Sequence, residues 1–115
     1  ITISDSVTNI ADGTFNGCTN LTSITIPDSI TSVGNGAFSG CTKLENVTLA
    51  NGFNANNLDL SASTKYTADT IVSWQNALAD RTGQAQYTLK IGATNKAKLT
   101  TEQLAIATNK NWNIA

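Results

Sequence analysis

The sequence predicts an α/β fold, in which a right-handed solenoid with a parallel sheet on its concave side is closed by a C-terminal α/β cap. Two observations favour this fold. The first half of the chain repeats itself with a 23-residue period, and the second half alternates strand and helix patterns. We therefore expect stacked coils over residues 1–52 and a capping region over residues 53–115.

The repeat needs no gaps to align. Residues 1–23, ITISDSVTNIADGTFNGCTNLTS, match residues 24–46, ITIPDSITSVGNGAFSGCTKLEN, at twelve identical positions. A third copy begins at residues 47–49 in the same phase and departs after Gly52. Such a period indicates stacked supersecondary units, because one unit alone cannot bury its apolar side chains.

Each coil is predicted to hold one short strand followed by tight corners. The segment Ile24–Ile26 alternates apolar, polar and apolar side chains, as in a half-buried strand. Pro27 ends this strand because proline cannot donate the next hydrogen bond of a ladder. Ala37 and Phe38 are predicted to form a single helical or 3₁₀ turn that places the aromatic ring in the interior of the coil.

The repeat carries a recognisable pattern. Read from Leu21 to Cys41 it is Leu-x-x-Ile-x-Ile-Pro-x-x-Ile-x-x-Val-Gly-x-x-Ala-Phe-x-Gly-Cys, which resembles the leucine-rich repeat of BspA-type bacterial surface proteins. The first copy departs from it with Ser4, Ala11 and Thr14 in place of Pro, Gly and Ala. The resemblance implies a leucine-rich repeat solenoid that is secreted or anchored at the cell surface. Several members of this family are adhesins that bind host matrix proteins.

The capping region is predicted to alternate strands and helices. Residues 68–79 carry apolar side chains at helical spacing after Thr67, and residues 87–91 alternate like a half-buried strand. With a last strand at residues 112–114, this is the order in which two right-handed crossovers extend a parallel sheet. A cap is expected physically, because the end of a solenoid exposes its core and a row of unpaired backbone groups.

A second, short helix is predicted before the last strand. Thr100 and Gln103 have the spacing of a capping box, and the helix is expected to run to about Asn109. Asn111 favours the left-handed conformation at the end of this helix. The segment Leu58–Leu60 fits either an extra strand on the convex side or the next rung of the sheet.

Composition and charge exclude several classes of function. The chain has 115 residues and a net charge of -1, so it offers no basic stripe for nucleic acid and no polybasic segment for anionic lipid. No apolar run is long enough for insertion into a membrane. Histidine is absent, which removes the commonest general base and the commonest metal ligand. We therefore predict a protein that is not an enzyme, with no catalytic residues, metal or cofactor.

The outward positions of the predicted strands define a candidate concave binding face. Its side chains are small, neutral and hydrogen-bonding: Thr2, Ser4, Ser23, Thr25, Asn46 and Thr48. Interface hot spots favour Trp, Tyr and Arg, and none of these falls on the face. A solvated sheet with rows of threonine is therefore the favoured interpretation, and a functional binding face is the alternative.

The two cysteines are interpreted as part of the core. Cys18 and Cys41 lie one period apart, so both are expected to point inward from stacked coils. Parallel neighbours hold their Cβ atoms near the spacing between rungs, outside the usual range of a disulfide. We expect reduced, buried side chains.

The aromatic residues and three aspartates are also interpreted structurally. Packing in the cap core is favoured over sugar stacking for the large aromatic residues, which are Tyr66, Trp74, Tyr87 and Trp112. Asp59, Asp69 and Asp80 lack the spacing of a calcium-binding loop, which favours solvated carboxylates.

Two hypotheses of function remain. The preferred one is a non-enzymatic interaction module, the C-terminal part of an extracellular or cell-surface bacterial repeat protein whose upstream coils bind a host or microbial surface protein. The alternative is a purely structural cap or spacer with no ligand. Because Ile1 falls inside a coil, we expect the chain to be the C-terminal end of a longer repeat protein. The exposed face of this first coil is predicted to mediate self-association.

Overall fold

A computed structural model describes all residues, 1–115, and contains three parallel sheets and three helices. In chain order the elements are β1 (Asn9–Ile10), β2 (Ser23–Ile26), β3 (Ser32–Val33), β4 (Asn46–Leu49), β5 (Leu58–Asp59), α1 (Ala68–Ala77), β6 (Tyr87–Lys90), α2 (Ala93–Lys96), α3 (Thr101–Thr108) and β7 (Trp112–Ile114). The sheets pair β1 with β3, β2 with β4, and β6 with both β5 and β7.

Strands β2 and β4 lie side by side in the register that the repeat predicts. Ile24 pairs with Val47, and a bridge between Thr2 and Thr25 continues the row into the first coil. The rings of Phe15 and Phe38 stack with their centroids 5.2 Å apart and their planes 11° apart. Equivalent residues of successive coils therefore superimpose, which confirms the stacked repeat.

A second row of paired strands, β1 with β3, was not predicted. Ile10 and Val33 are buried in this row and pair in register. Two residues are too few to show an alternating pattern, so only the equivalence of Ile10 and Val33 in the alignment pointed to it. The first and second coils approach each other closely beside this row. A Cβ atom at Gly34 would overlap the backbone of Asp12. Glycine is needed there for space.

The first cap helix begins as predicted and ends two residues early. The Thr67 hydroxyl accepts a hydrogen bond from the Thr70 backbone N–H at 3.1 Å, so Thr67 is the N-cap of α1. The helix ends at Ala77 because Leu78 turns extended and forms a bridge with Phe53. A contact distant in sequence thus overrides the helical pattern.

The prediction that the cap strands extend the sheet of the coils is wrong. Strands β5, β6 and β7 form a separate parallel sheet, while α1 packs against β4. The indole N–H of Trp74 donates to the Val47 carbonyl at 2.7 Å, where the next strand would have bonded. The pairing of Leu58 with Leu89 assigns β5 to the cap sheet.

The C-terminal helix and strand agree with the sequence. The capping box is complete, since Gln103 N donates to the Thr100 hydroxyl and Thr100 N donates to the Gln103 side chain. Asn111 has a φ of 62°, the left-handed conformation expected after α3. The short helix α2 was not predicted. The handedness of the coil, a boundary at residue 52 and the capping role of residues 53–115 stay predictions.

Burial agrees with most of the structural interpretations. Trp74 and Trp112 are fully buried, as predicted, and Tyr66 packs edge-on against Trp74. Tyr87 is half-buried. Both cysteines are free thiols, but only Cys41 is buried. Cys18 is half-exposed, contrary to expectation, because no coil covers the outer side of the first one.

Candidate binding faces

The threonine face is the surface formed by the outward side chains of β2, β4 and the equivalent residues of the first coil. The structure brings five of the six predicted residues into paired positions, with Thr2 beside Thr25, Thr25 beside Thr48, and Ser23 beside Asn46. Ser4 lies just beyond this row, and its hydroxyl is 2.9 Å from that of Ser6. The side chains are exposed or half-buried.

The polar groups of the threonine face are free. No hydrogen bond within the protein involves the side chains of its five paired residues: Thr2, Ser23, Thr25, Asn46 and Thr48. Each hydroxyl can donate and accept, so the face offers both functions at regular spacing.

Hydroxyl groups beside β3 behave differently. Ser29 donates to the Val7 carbonyl at 2.8 Å, and Thr31 donates to the Thr8 carbonyl at 3.1 Å. Ser32 donates to the side chain of Asn9. These groups join one coil to the next. The contrast shows that hydroxyls on the β1–β3 side hold the stack together, whereas those of the threonine face remain available.

The outer face of the first coil is a second candidate surface. Its most exposed apolar side chain, Ile1, is 65% exposed, and Phe15 and Leu21 are half-buried. An open cavity of about 540 Å³ lies there, lined by Ile1 and residues 17–23.

A third site, between the second coil and the cap, was missed by sequence reasoning. Two cavities of about 260 and 370 Å³ meet there, and Gly36 and Asp59 line both. The polar lining includes Asn56 and Lys90. These residues come from separate elements and carry no motif, so the only sequence signal was the end of the repeat near residue 52.

The ionisable groups do not form a catalytic or metal-binding cluster. No three Cys, Asp or Glu side chains come together as a metal site. Burial, and to a lesser extent nearby Cys18, raise the pKa of the Cys41 thiol. Burial also raises the pKa of Tyr66, whereas hydrogen bonds from Thr82 lower the pKa of Asp80. Each shift has a structural cause, and Asp59, Asp69 and Asp80 do not converge.

Comparison with known families adds one finding to this geometry. The model for the BspA type leucine-rich repeat region (6 copies) matches residues 1–76. The chain belongs to this family. BspA-type repeats thus extend, by this match, through the third coil and into α1. Neither a curated protein nor a solved structure matches the chain.

Membership in this family indicates the general class of the chain. BspA-type leucine-rich repeats are modules for protein interaction, are in general not enzymes, and typically occur outside the cell or at its surface. No helix of this chain combines the length and the apolar character needed to cross a bilayer.

Proposed function

We propose that this BspA-type chain is a non-enzymatic module that binds a host or microbial surface protein through its threonine face. The observation that carries the proposal is a difference in hydrogen bonding. The polar side chains of the threonine face make no hydrogen bond within the protein, whereas the hydroxyls beside β3 do. We place the protein outside the bacterial cell or on its surface, where adhesion to such a partner takes place.

The geometry of the threonine face suits a protein partner. Thr2, Thr25 and Thr48 follow one another at the spacing of stacked strands, which is close to 4.8 Å. The hydroxyls of this row can each donate and accept, so they can pair with polar groups of either kind on a protein surface. The absence of charge makes binding insensitive to salt, in contrast to electrostatically steered association.

The test compares two pairs of substitutions that are each one repeat apart. Thr25→Lys with Thr48→Lys places two cations in the centre of the threonine face. Asp28→Lys with Asn51→Lys also introduces two lysines, at exposed turn positions outside the strands of the same two coils. Binding to a panel of immobilised extracellular matrix proteins is measured by surface plasmon resonance. We expect the first pair to weaken binding at least about tenfold and the second pair to leave it unchanged.

Two results would contradict the threonine-face proposal. One is equal loss of binding in both pairs, which would point to charge alone. The other is full binding by the Thr25 and Thr48 pair. Circular dichroism and urea denaturation of each variant separate a loss of binding from a loss of fold.

A structural cap is the second candidate function, and a specific contact favours it. Trp74 saturates the carbonyl of Val47, and α1 covers the β4 edge of the sheet, so this part of the chain ends the ladder. As a pure cap, the chain would bind no member of the panel, and substitutions on the threonine face would have no phenotype.

The location is tested on intact bacteria. Antibodies against the chain should label cells without permeabilisation, and external protease should remove the signal. Labelling that requires permeabilised cells would contradict the proposed location without affecting the binding test on the purified protein.

A further inference from the structure

The backbone of the second coil leaves a row of donors without partners. In the first coil, alternate N–H groups donate to carbonyls of the second coil at 3.1, 2.7 and 2.8 Å: Gly13 to Asn35, Phe15 to Ala37, and Gly17 to Ser39. The groups one repeat later are the N–H groups of Gly36, Phe38 and Gly40. None of them donates a hydrogen bond to another backbone group, and no side chain accepts from them.

The cap is responsible for these unpaired donors. By the repeat, the partner of the Phe38 N–H would be the carbonyl of Leu60, one period after Ala37. That carbonyl instead accepts the hydroxyl of Tyr66 at 3.1 Å, while the Leu60 N–H donates to Lys90 at 2.8 Å. The third coil has turned toward the cap sheet and no longer completes the ladder.

The space between the two layers is a slot. It has a volume of about 260 Å³, and it is lined by Gly36, Phe38 and Ser39 of the second coil and by Asp59, Ser61 and Ala62 in and just after β5 of the cap sheet. Phe38 is only 1% exposed, so its unpaired N–H is buried, whereas Gly36 and Ser39 of the same wall are exposed. Since burying an unpaired donor is costly, the slot favours a ligand that accepts hydrogen bonds.

The opposite wall of the slot offers acceptors. The Asp59 carboxylate uses Oδ1 to accept from the Ser61 N–H at 2.9 Å and from the Ser61 hydroxyl at 2.5 Å. Its other oxygen, Oδ2, makes no hydrogen bond within the protein. An anion is disfavoured because it would face this carboxylate. An apolar ligand is disfavoured because it would leave donors and acceptor unpaired.

An extended peptide is also a poor fit. A strand that adds to a sheet needs N–H and C=O groups alternating along the edge it joins. The carbonyls of Asn35, Ala37 and Ser39 all point to the first coil, so this wall presents donors alone. The fitting ligand is neutral and carries groups that both accept and donate, as hydroxyls do.

We propose that the slot between the second coil and the cap binds a sugar ring, whose hydroxyls accept from the N–H groups of Gly36 and Phe38 and donate to the Asp59 carboxylate. The adjoining cavity of about 370 Å³ gives room for a second ring next to Asn56 and Lys90. This site is separate from the threonine face, and its ligand is of a different chemical class.

The test is a titration of the ¹⁵N-labelled chain followed by NMR. The probes are glucose, galactose and N-acetylglucosamine, each as the free sugar and as a β-linked disaccharide. We expect at least one probe to shift the amide resonances of Gly36 and Phe38 in a saturable way. Tighter binding of the disaccharide assigns the ligand to a glycan chain, and equal binding assigns it to a single ring; either supports the proposal.

Two substitutions test the role of the carboxylate. Asp59→Asn keeps an oxygen for Ser61 but removes the charged acceptor, so sugar binding should weaken about tenfold. Asp28→Asn makes the same change at an exposed turn and should have no effect. If Asp59→Asn disturbs the fold, Ala62→Leu, which fills the slot with carbon atoms, must abolish the same shifts.

Several outcomes would overturn the proposal. One is the absence of shifts at Gly36 and Phe38 with every sugar at high millimolar concentration. Another is unchanged sugar binding by Asp59→Asn or by Ala62→Leu. A third is a response of these amides to phosphate or to an unstructured peptide in place of sugars, which would assign the slot to an anion or to a protein segment.

Discussion

At the scale of single residues, side-chain identity predicted burial well but did not predict partners. Trp74 and Trp112 had to be core residues because of their size, and both are fully buried. That their indole N–H groups donate to Val47 and Ala79 could not be known, because the partners lie far away in sequence. Likewise, the sequence suggested a solvated carboxylate at Asp59, whereas in the structure Asp59 lines the slot together with the unpaired N–H groups of Gly36 and Phe38.

Tyr66 makes stability depend on pH in the alkaline range. Its hydroxyl is buried and donates to Leu60, and burial raises its pKa above the ordinary value of 10.0. The unfolded chain loses this proton near pH 10 whereas the folded chain keeps it, so stability falls as pH rises above that value. Stability contributed by the neutral hydroxyl is fully present below that pH.

The Tyr66→Phe variant tests this pH dependence. It should be less stable than the parent near neutral pH, by about 1 kcal/mol for the lost hydrogen bond, and should lose less stability on going to alkaline pH. Urea denaturation of both proteins over this range measures the two slopes. Parallel slopes would show that Tyr66 does not hold its proton in the folded state.

At the scale of elements, N-cap residues in the sequence predicted where the helices begin. The end of α1 depends on contacts with residues that are distant in sequence. The caps at Thr67 and Thr100 involve neighbours three residues away, so the sequence contains them completely. The end of α1 does not work this way. Lys110 donates there to the carbonyls of Gln75, Asn76 and Leu78, more than 30 residues earlier in the chain.

Trp74→Phe tests whether α1 acts as the terminal rung of the β2–β4 ladder. In the first rung, the Thr25 N–H donates to the Ile1 carbonyl at 2.9 Å. The indole N–H of Trp74 donates to the equivalent carbonyl two coils later, that of Val47. The substitution keeps an aromatic ring beside Tyr66 but leaves the buried Val47 carbonyl unpaired. The free energy of unfolding should fall by about 1–3 kcal/mol.

Urea denaturation followed by circular dichroism measures this loss. Hydrogen exchange of the Ile24–Ile26 strand should accelerate together with that of β4, because the rungs share one ladder. A loss below about 0.5 kcal/mol, within the range of ordinary surface substitutions, would mean that the indole N–H does not cap the sheet.

At the scale of the whole molecule, the two ends of the stack differ. At one end α1 packs against β4, and the other end presents Ile1, Leu21 and an open cavity. A two-fold axis through this end would bury the exposed Ile1 and its neighbours against the identical surface of a second copy. We therefore expect the purified chain to form dimers through its first coil.

Leu21→Lys tests this association against Val72→Lys, which places the same charge at a half-buried position on α1. Sedimentation at several concentrations should show that Leu21→Lys raises the dimer dissociation constant at least about tenfold while the control does not. A parent chain that remains monomeric at every concentration, or a control that dissociates equally, would contradict this prediction.

The sequence by itself determined the stacked repeat, its family, the row of threonines and both predicted helices, because these features depend on periodicity and on neighbours a few residues apart. Only the tertiary structure decided where the repeat stops. Leu60 bonds to Tyr66 and Lys90 in place of Phe38, and Trp74 takes the position of a strand at Val47. These hydrogen bonds join residues that are distant in sequence, and which groups pair depends on how the elements pack. A local sequence pattern therefore cannot predict them. The slot at Asp59 results from this packing.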